Sequence, residues 1–277
     1  MTPTIRTPKA MRPAWSSRLV ALILPAVLFA LWALGSAAGI FGTLIPSPRQ
    51  VVEVFIEWST GATGSGSRYY SGTWTADLLG SFFRATIGFA LGAVISLALG
   101  LLVGWSHRAH ALLDPTIHML RAIPRTALLP FAIIFLGLGN APALAMVAFG
   151  AFAQMYVQVV VGVQLVPRDL KRAAYMLGAS HRQVLMRVVV PHALPSIFAG
   201  LRLGIVYSWT MLILAEMFAV GTGFGYTLWR AYEFLQVDLL IASLLMITLA
   251  GWLSDRLILF IMARKLRWAS AIADTRL

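Results

Sequence analysis

The chain has 277 residues, 59% of them hydrophobic and only 12% charged, with a mean hydropathy of +0.81. Soluble proteins carry about 25% charged residues, so this composition belongs to a membrane protein. The absence of cysteine excludes disulfides, thiol catalysis and cysteine-held metals, and the net charge of +12 does not imply nucleic acid, because Lys and Arg gather in the cytoplasmic loops of membrane proteins.

Residues 1–18 form a basic tail with Arg6, Lys9, Arg12 and Arg18. From Leu19 to Pro48 there is no charge, and since a span needs about 20 apolar residues, a first membrane helix is expected over 19–41, bent by Pro25. No small-residue cleavage site follows it, so it reads as a retained helix. Residues 42–77 read as an external connection, Gly/Ser-rich over Gly61–Gly72, with a surface helix over Val51–Trp58. The remaining core, 78–262, begins with a second span over Leu78–Trp105 that carries Arg84 near its start.

A third span starts around Leu112, with Asp114-Pro115 read as a helix cap followed by a first-turn proline. Ile123-Pro124-Arg125 and Pro130 make this span irregular, and broken helices at membrane depth are tolerated where they line a cavity or protein. Between Arg125 and Arg168 lie 42 uncharged residues. As one helix they would measure about 63 Å, twice the hydrocarbon core, so the chain must fold back, and Gly137, Gly139, Asn140 and Pro142 supply the turn. Span four is expected over Ala141–Val163, span five over Leu194–Phe218 and span six over Val237–Met262, followed by a tail over 263–277. Gly221–Gly225 reads as backbone turns, since no strand precedes it to make a dinucleotide fingerprint. On one side of this arrangement lie 14 Lys/Arg and on the other 3, which predicts six spans with both termini and the 166–193 loop in the cytoplasm.

That loop is a charged island in an apolar sequence. Leu170, Ala173, Ala174 and Leu177 fall at helical spacing, with Lys171, Arg172 and Tyr175 on the other side. Gly178 stands where a helix ends in a left-handed residue, and Ser180 with Gln183 makes a capping box for a second helix. That helix is expected to run through Val184, Leu185 and Val188 until Pro191 disturbs it, with Pro195 setting up another segment. The pattern fits a docking element or an ordinary basic loop.

Glu216 is the sharpest single residue. An ionisable group at membrane depth must face a partner or a watered cavity, so it reads either as a pathway or gate residue or as the partner of a buried arginine. Arg202 is about 21 Å away along the same helix, which leaves Arg84 or Arg121 as the partner. Arg84 and Arg202 read as helix-end cations that snorkel or grip carbonyls, with contact to an anionic solute as the alternative. The five histidines, 107, 110, 118, 181 and 192, are scattered and propose no metal site. No catalytic constellation and no phosphate-binding loop is present, so any ATP-driven function needs a separate ATPase.

The motifs taken together resemble bacterial ABC-importer permeases. In that family the loop pattern is Glu-Ala-Ala, three residues, Gly, nine residues, Ile-x-Leu-Pro; here it stands as Arg172-Ala173-Ala174, Gly178, Val188, Val190 and Pro191. Arg172 replaces the glutamate. Pro46-Ser47-Pro48, Arg84 with Gly88 to Gly92, Leu113-Asp114-Pro115, Leu120-Arg121 with Pro124, Leu177 to Ser180, Gly200-Leu201-Arg202, Ala215-Glu216 and Glu233 to Asp238 look like the nitrate/sulfonate/taurine branch, most of all its aliphatic-sulfonate permeases. The resemblance implies an all-α polytopic type I importer (MetI-like) permease fold and import of a small, anionic solute. It also implies a homodimer in the bacterial inner membrane, two ABC ATPase subunits that hold ATP and Mg, and a periplasmic or lipid-anchored solute-binding protein. Arg172, Ala173, Ala174, Gly178, Ala179, Ser180, Gln183 and Pro191 would couple to the ATPase, and Glu216, Arg84, Arg121 and Arg202 are pathway or gate candidates. The chain itself would bind no cofactor, metal or nucleic acid. The competing class is an ATP-independent secondary carrier or a membrane scaffold subunit.

Overall fold

The computed structural model describes residues 15–40, 42, 45–61 and 68–265. The basic tail up to residue 14, the middle of the Gly/Ser-rich stretch (62–67) and the end of the chain (266–277) lie outside the described residues. Eleven α-helices and no strand occur among those described.

Helix α1 (Trp15–Ala37) contains Pro25. The apolar side chains described on it, such as Leu24, Leu31 and Leu34, are exposed, and Trp32 Nε1 ties it to the Pro46 carbonyl at 3.0 Å. Helix α2 (Pro48–Thr60) starts at a Ser47–Gln50 capping box with Pro48 in the first turn, and buries Val51, Val54, Glu57 and Trp58. Its alternating faces fit an amphipathic helix lying on the bundle.

Helices α3 (Trp74–Trp105), α6 (Asn140–Gln164) and α9 (Val190–Ala219) form the central packing unit. The physical reason is a stripe of small residues on α3 at every fourth position: Gly88, Gly92, Ser96, Gly100 and Gly104. A Cβ at Gly88 would stand 2.6 Å from Val147, and one at Gly100 2.7 Å from Val159, so backbone meets side chain directly along α6. In lipid, where apolar burial adds little driving force, such close approach is what holds helices together. Gly150 and Gly162 of α6, and Gly200 and Gly204 of α9, serve the second contact in the same way.

The third span is broken. Helix α4 (His107–Ala122) and α5 (Arg125–Leu136) meet at 94° across Ile123-Pro124. Asp114 is not a cap: it lies in the middle of α4, whose cap is Ser106, with Oγ accepting from the Ala109 N–H at 3.3 Å. Pro115 is carried inside the helix, and Asp114 instead accepts from the Tyr156 hydroxyl at 2.7 Å, a tertiary bond that local spacing cannot announce.

Helix α7 (Arg168–Met176) and α8 (His181–Val184) make the charged loop. Pro191 disturbs the following helix, as expected, without ending it. A π-helical segment, Leu185–Val189, carries the chain into α9, and His181–Ala219 is one continuous 39-residue span. Pro191 has no N–H for the Arg187 carbonyl, and a local shift from i−4 to i−5 bonding accommodates that loss without a break; the Val190 N–H donates to the Leu185 carbonyl. Beyond α9, Gly221–Gly225 is more than a connection, because it opens α10 (Phe224–Glu233), which lies against α9 and α11 (Val237–Lys265).

Among the described residues four helices are long and apolar enough to cross a bilayer, and the bent α4–α5 pair brings the number to five if its two arms count as one span; six spans, the number expected, are not reached on this criterion. The described apolar part of α1, Ile23–Ala37, is shorter.

Candidate functional site

The sequence candidates separate into an exposed element at one end of the bundle, a buried polar node at the other, and a pair of arginines between. At the α7 end, Gly178 adopts φ +80°, and the Ala179 N–H reaches back to the Ala174 carbonyl at 3.1 Å, closing α7 with a left-handed stop. Ser180 then starts α8: its Oγ accepts from the Gln183 N–H at 3.4 Å, and Gln183 Oε1 accepts from the Ser180 N–H at 2.7 Å. Two helices are thereby fixed across a four-residue turn, Leu177 to Ser180.

The face this element buries differs from the one expected. Ala174 and Ala179 turn inward toward Val163, Val184 and Val189, whereas Leu170, Ala173 and Leu177 do not. Lys171, expected on the outer face, lies with its ammonium over the Trp105 ring at 5.7 Å. Burial there, with Arg168 nearby, lowers its pKa from the ordinary lysine value. The His181 ring packs edge-on against Trp105, and its Nδ1 lies 2.9 Å from the Tyr175 hydroxyl. These contacts anchor the loop to the end of α3. What remains outside is an apolar tip: Met176 is 83% exposed and Leu177 88%. Arg172 also faces outward, with Asp169 3.9 Å away. Pro191, part of the same sequence motif, sits half-buried at the start of α9, beneath the element rather than on its exposed tip.

The opposite end holds Glu216, fully buried. Its Oε1 accepts from Arg84 Nη1 at 2.7 Å and from Ser81 Oγ at 2.8 Å, and its Oε2 accepts from the Gly225 N–H at 2.9 Å. Arg84 donates further to Asn140 Oδ1 at 2.7 Å, the Thr222 carbonyl at 3.0 Å and Thr222 Oγ1 at 2.8 Å. A buried charge is tolerable only when its partner and its remaining donors and acceptors are satisfied, and here they are. Of the two arginines the sequence offered, Arg84 is the partner.

The node extends through a residue sequence reasoning passed over. Asp77 Oδ1 accepts from the Gly223 N–H at 2.8 Å, while Oδ2 takes Trp58 Nε1 at 3.0 Å, Thr73 Oγ1 at 2.9 Å and Thr227 Oγ1 at 3.1 Å. One polar cluster therefore clamps α2, α3, α9 and α10. Gly223, at φ +116°, packs directly on the Glu216 carboxylate and leaves no room for a Cβ. The glycine spacing of Gly221–Gly225 next to Glu216 was the available signal: a Cβ at Gly223 would overlap the Glu216 carboxylate and one at Gly225 would stand 2.8 Å from the Glu216 Cβ, so the close approach needs glycine at both.

Arg202 does not join this node. It forms a two-pronged pair with Asp255 of α11, Nε to Oδ1 at 2.6 Å and Nη2 to Oδ2 at 3.1 Å, on a half-exposed surface. Asp255 carries no motif that singles it out in sequence. Arg121 ends α4 near the break, with Nη1 3.3 Å from His118 Nδ1. His110 and His118 flank Asp114 at 3.8 and 3.5 Å, one helical turn to either side, and no group of three ligands suited to a metal ion occurs among the described residues.

Comparison with known proteins places this geometry in context. Residues 92–267 match the sequence profile of the binding-protein-dependent transport system inner membrane component family. The chain is 30% identical to the putative aliphatic sulfonates transport permease protein SsuC of Bacillus subtilis, over 96% of this chain and 92% of that protein. It is 33% identical to the nitrate import permease protein NrtB of Synechocystis, over 93% of this chain and 90% of that one. Among solved structures, an inward-facing conformation of the MetNI methionine ABC transporter superposes with a TM-score of 0.64 at 17% identity, covering 72% of this chain and 99% of that one. At that identity the likeness concerns the fold.

Proposed function

The chain belongs to the family of binding-protein-dependent transport system inner membrane components, and from that premise we propose that it imports a small anionic solute of the sulfonate, nitrate or taurine class. It is a permease subunit of an ABC transporter and not an enzyme; ATP hydrolysis belongs to a separate subunit. That membership sets aside an ATP-independent carrier or scaffold. In our reading two ATPase subunits, holding ATP and Mg, seat on the 166–193 loop, a second copy of this chain completes the pathway, and the solute-binding protein docks at the α10 end. Both termini and the α7 end then face the cytoplasm of a bacterial inner membrane.

The observation that carries the ATPase contact is the apolar tip of Met176 and Leu177, held out on a capped turn. Exposing two large apolar side chains on a rigid element is unfavourable unless a partner covers them. Arg172, outside and paired only distantly, would meet an acidic group in the partner's groove.

Co-purification of the ATPase with the permease tests this. Leu177→Asp is expected to abolish it without lowering membrane yield. Gly178→Val is expected to act through the backbone alone, since nothing lies within 4 Å of the new Cβ and the left-handed state costs a side-chain-bearing residue about 1–2 kcal/mol. Wild-type ATPase retention by both variants would refute the docking role.

A further inference from the structure

The cations at membrane depth fall into two classes. Arg84 has Glu216 and Arg202 has Asp255, while Arg256 and Arg264 lie over the Trp252 and Phe260 rings in the last third of α11. Arg121 and Arg125, on either side of the α4–α5 break, have no ion pair among the described residues. Arg125 lies over the Tyr207 ring at 4.7 Å, and the Nε of each arginine is enclosed without an acceptor. Asp114, the acid of α4, is already engaged by the Tyr156 hydroxyl and flanked by His110 and His118.

Position makes this arrangement costly unless something answers it. α5 has 12 residues, which places Arg125 about 18 Å from the Gly137 turn, and Tyr207 stands about 18 Å from the end of α9. The two ends meet, since the Gly139 N–H donates to the Ala219 carbonyl; with that junction at one face of a hydrocarbon core of about 30 Å, the pair would stand near its middle. A helix break at that depth is tolerated where it lines water or protein. The N-terminus of α5 adds to the same field: its cap is Pro124, with no side-chain bond, so the first-turn N–H groups at Arg125 and Thr126 are left open by the helix.

We infer that the α4–α5 break is an anion station, where Arg121, Arg125 and the first turn of α5 hold a monovalent oxyanion of the sulfonate or nitrate type midway across the permease. Guanidinium groups present paired donors that match such oxyanions. The inference rests on the importer reading and gives its solute class a place in this chain.

The absence of cysteine allows a direct test. Thr126 is exposed, and Thr126→Cys puts a single thiol beside Arg125. In the membrane-embedded permease–ATPase complex, this thiol is reacted with an anionic sulfonatoethyl methanethiosulfonate and with its cationic trimethylammonioethyl counterpart. Each rate is normalised to that of a free thiol. The station predicts a preference for the anionic reagent of about tenfold, slowed by added nitrate or methanesulfonate. The preference should fall toward unity with Arg121→Gln or Arg125→Gln and survive replacement of either by lysine. Equal rates, or a thiol inert to both reagents while one at Ser180 reacts, would overturn the station, and the unsubstituted arginines suffice for that comparison. Solute-driven uptake without the anion preference removes the station and leaves the importer. Anion preference in a permease that retains no ATPase keeps the station and removes the importer reading.

Discussion

Glu216→Gln is the perturbation whose size follows most directly from the structure. The neutral amide leaves the Arg84 guanidinium, whose side chain is 5% exposed, with Asn140 Oδ1 and the Thr222 oxygens as its principal acceptors. Its NH2 group must also point at one of the donors that the carboxylate now receives, from Ser81, Arg84 or Gly225. Breaking one side of a buried pair costs about 3–5 kcal/mol. At roughly 2 °C per kcal/mol for a chain of this size, the melting temperature in detergent should fall by about 6–10 °C. Arg84→Gln should cost a similar amount, while the double variant strands no charge and should cost about 2–3 kcal/mol less than the sum. Glu53→Gln, at an exposed Glu53–Arg49 pair, is the control and should leave the melting temperature unchanged. Additive single effects, or a fully stable Glu216→Gln, would refute the claim that the pair is a structural clamp. A stable variant that fails to transport would return Glu216 to the pathway.

Two further expectations concern packing and orientation. Gly92→Ala drives a Cβ into the Ala148 carbonyl and to 2.8 Å from Ala151, so it should destabilise by about 1–3 kcal/mol through overpacking; Gly251→Ala meets nothing within 4 Å and should stabilise by about 0.5–1 kcal/mol, both read from melting in detergent. Reporter fusions at Gly139 and Ser180 should report opposite sides of the membrane, with Ser180 cytoplasmic; an external signal at Ser180 would sink both the orientation and the docking loop.

Features whose cause is local were legible in the sequence. Gly178 and the Ser180–Gln183 box are read from neighbouring residues and are built that way. The long uncharged run after Arg125 forces a fold-back on length alone, and α5 and α6 turn over at Gly137–Gly139. Features that depend on which helices meet were not. Asp114 looks like a cap until Tyr156 of α6 arrives 42 residues later. Asp255 has no visible role until Arg202 stands opposite. Leu170 and Leu177 share an apolar period with Ala174, but only the alanine packs against the Val184 and Val189 cluster while both leucines stay exposed, an outcome set by which helices meet and not by local spacing. The small residues of α3 recur every four positions, a spacing visible in the sequence, but that α6 is the helix they meet is shown only by the packing.

The continuous span from His181 to Ala219 gives two remote places a common backbone. Its 39 residues extend about 58 Å, from the foot of the α7 turn to the residue three beyond Glu216. A displacement along that axis is stiffly conveyed, since compressing a helix means breaking its ladder. The π segment Leu185–Val189 lies at the α7 end of this span, so the departure from regular i−4 bonding sits beside the turn and far from Glu216. A partner that moved α7 would thus act on the Gly223–Gly225 clamp through a single backbone, since Glu216 near the far end of that span accepts from the Gly225 N–H.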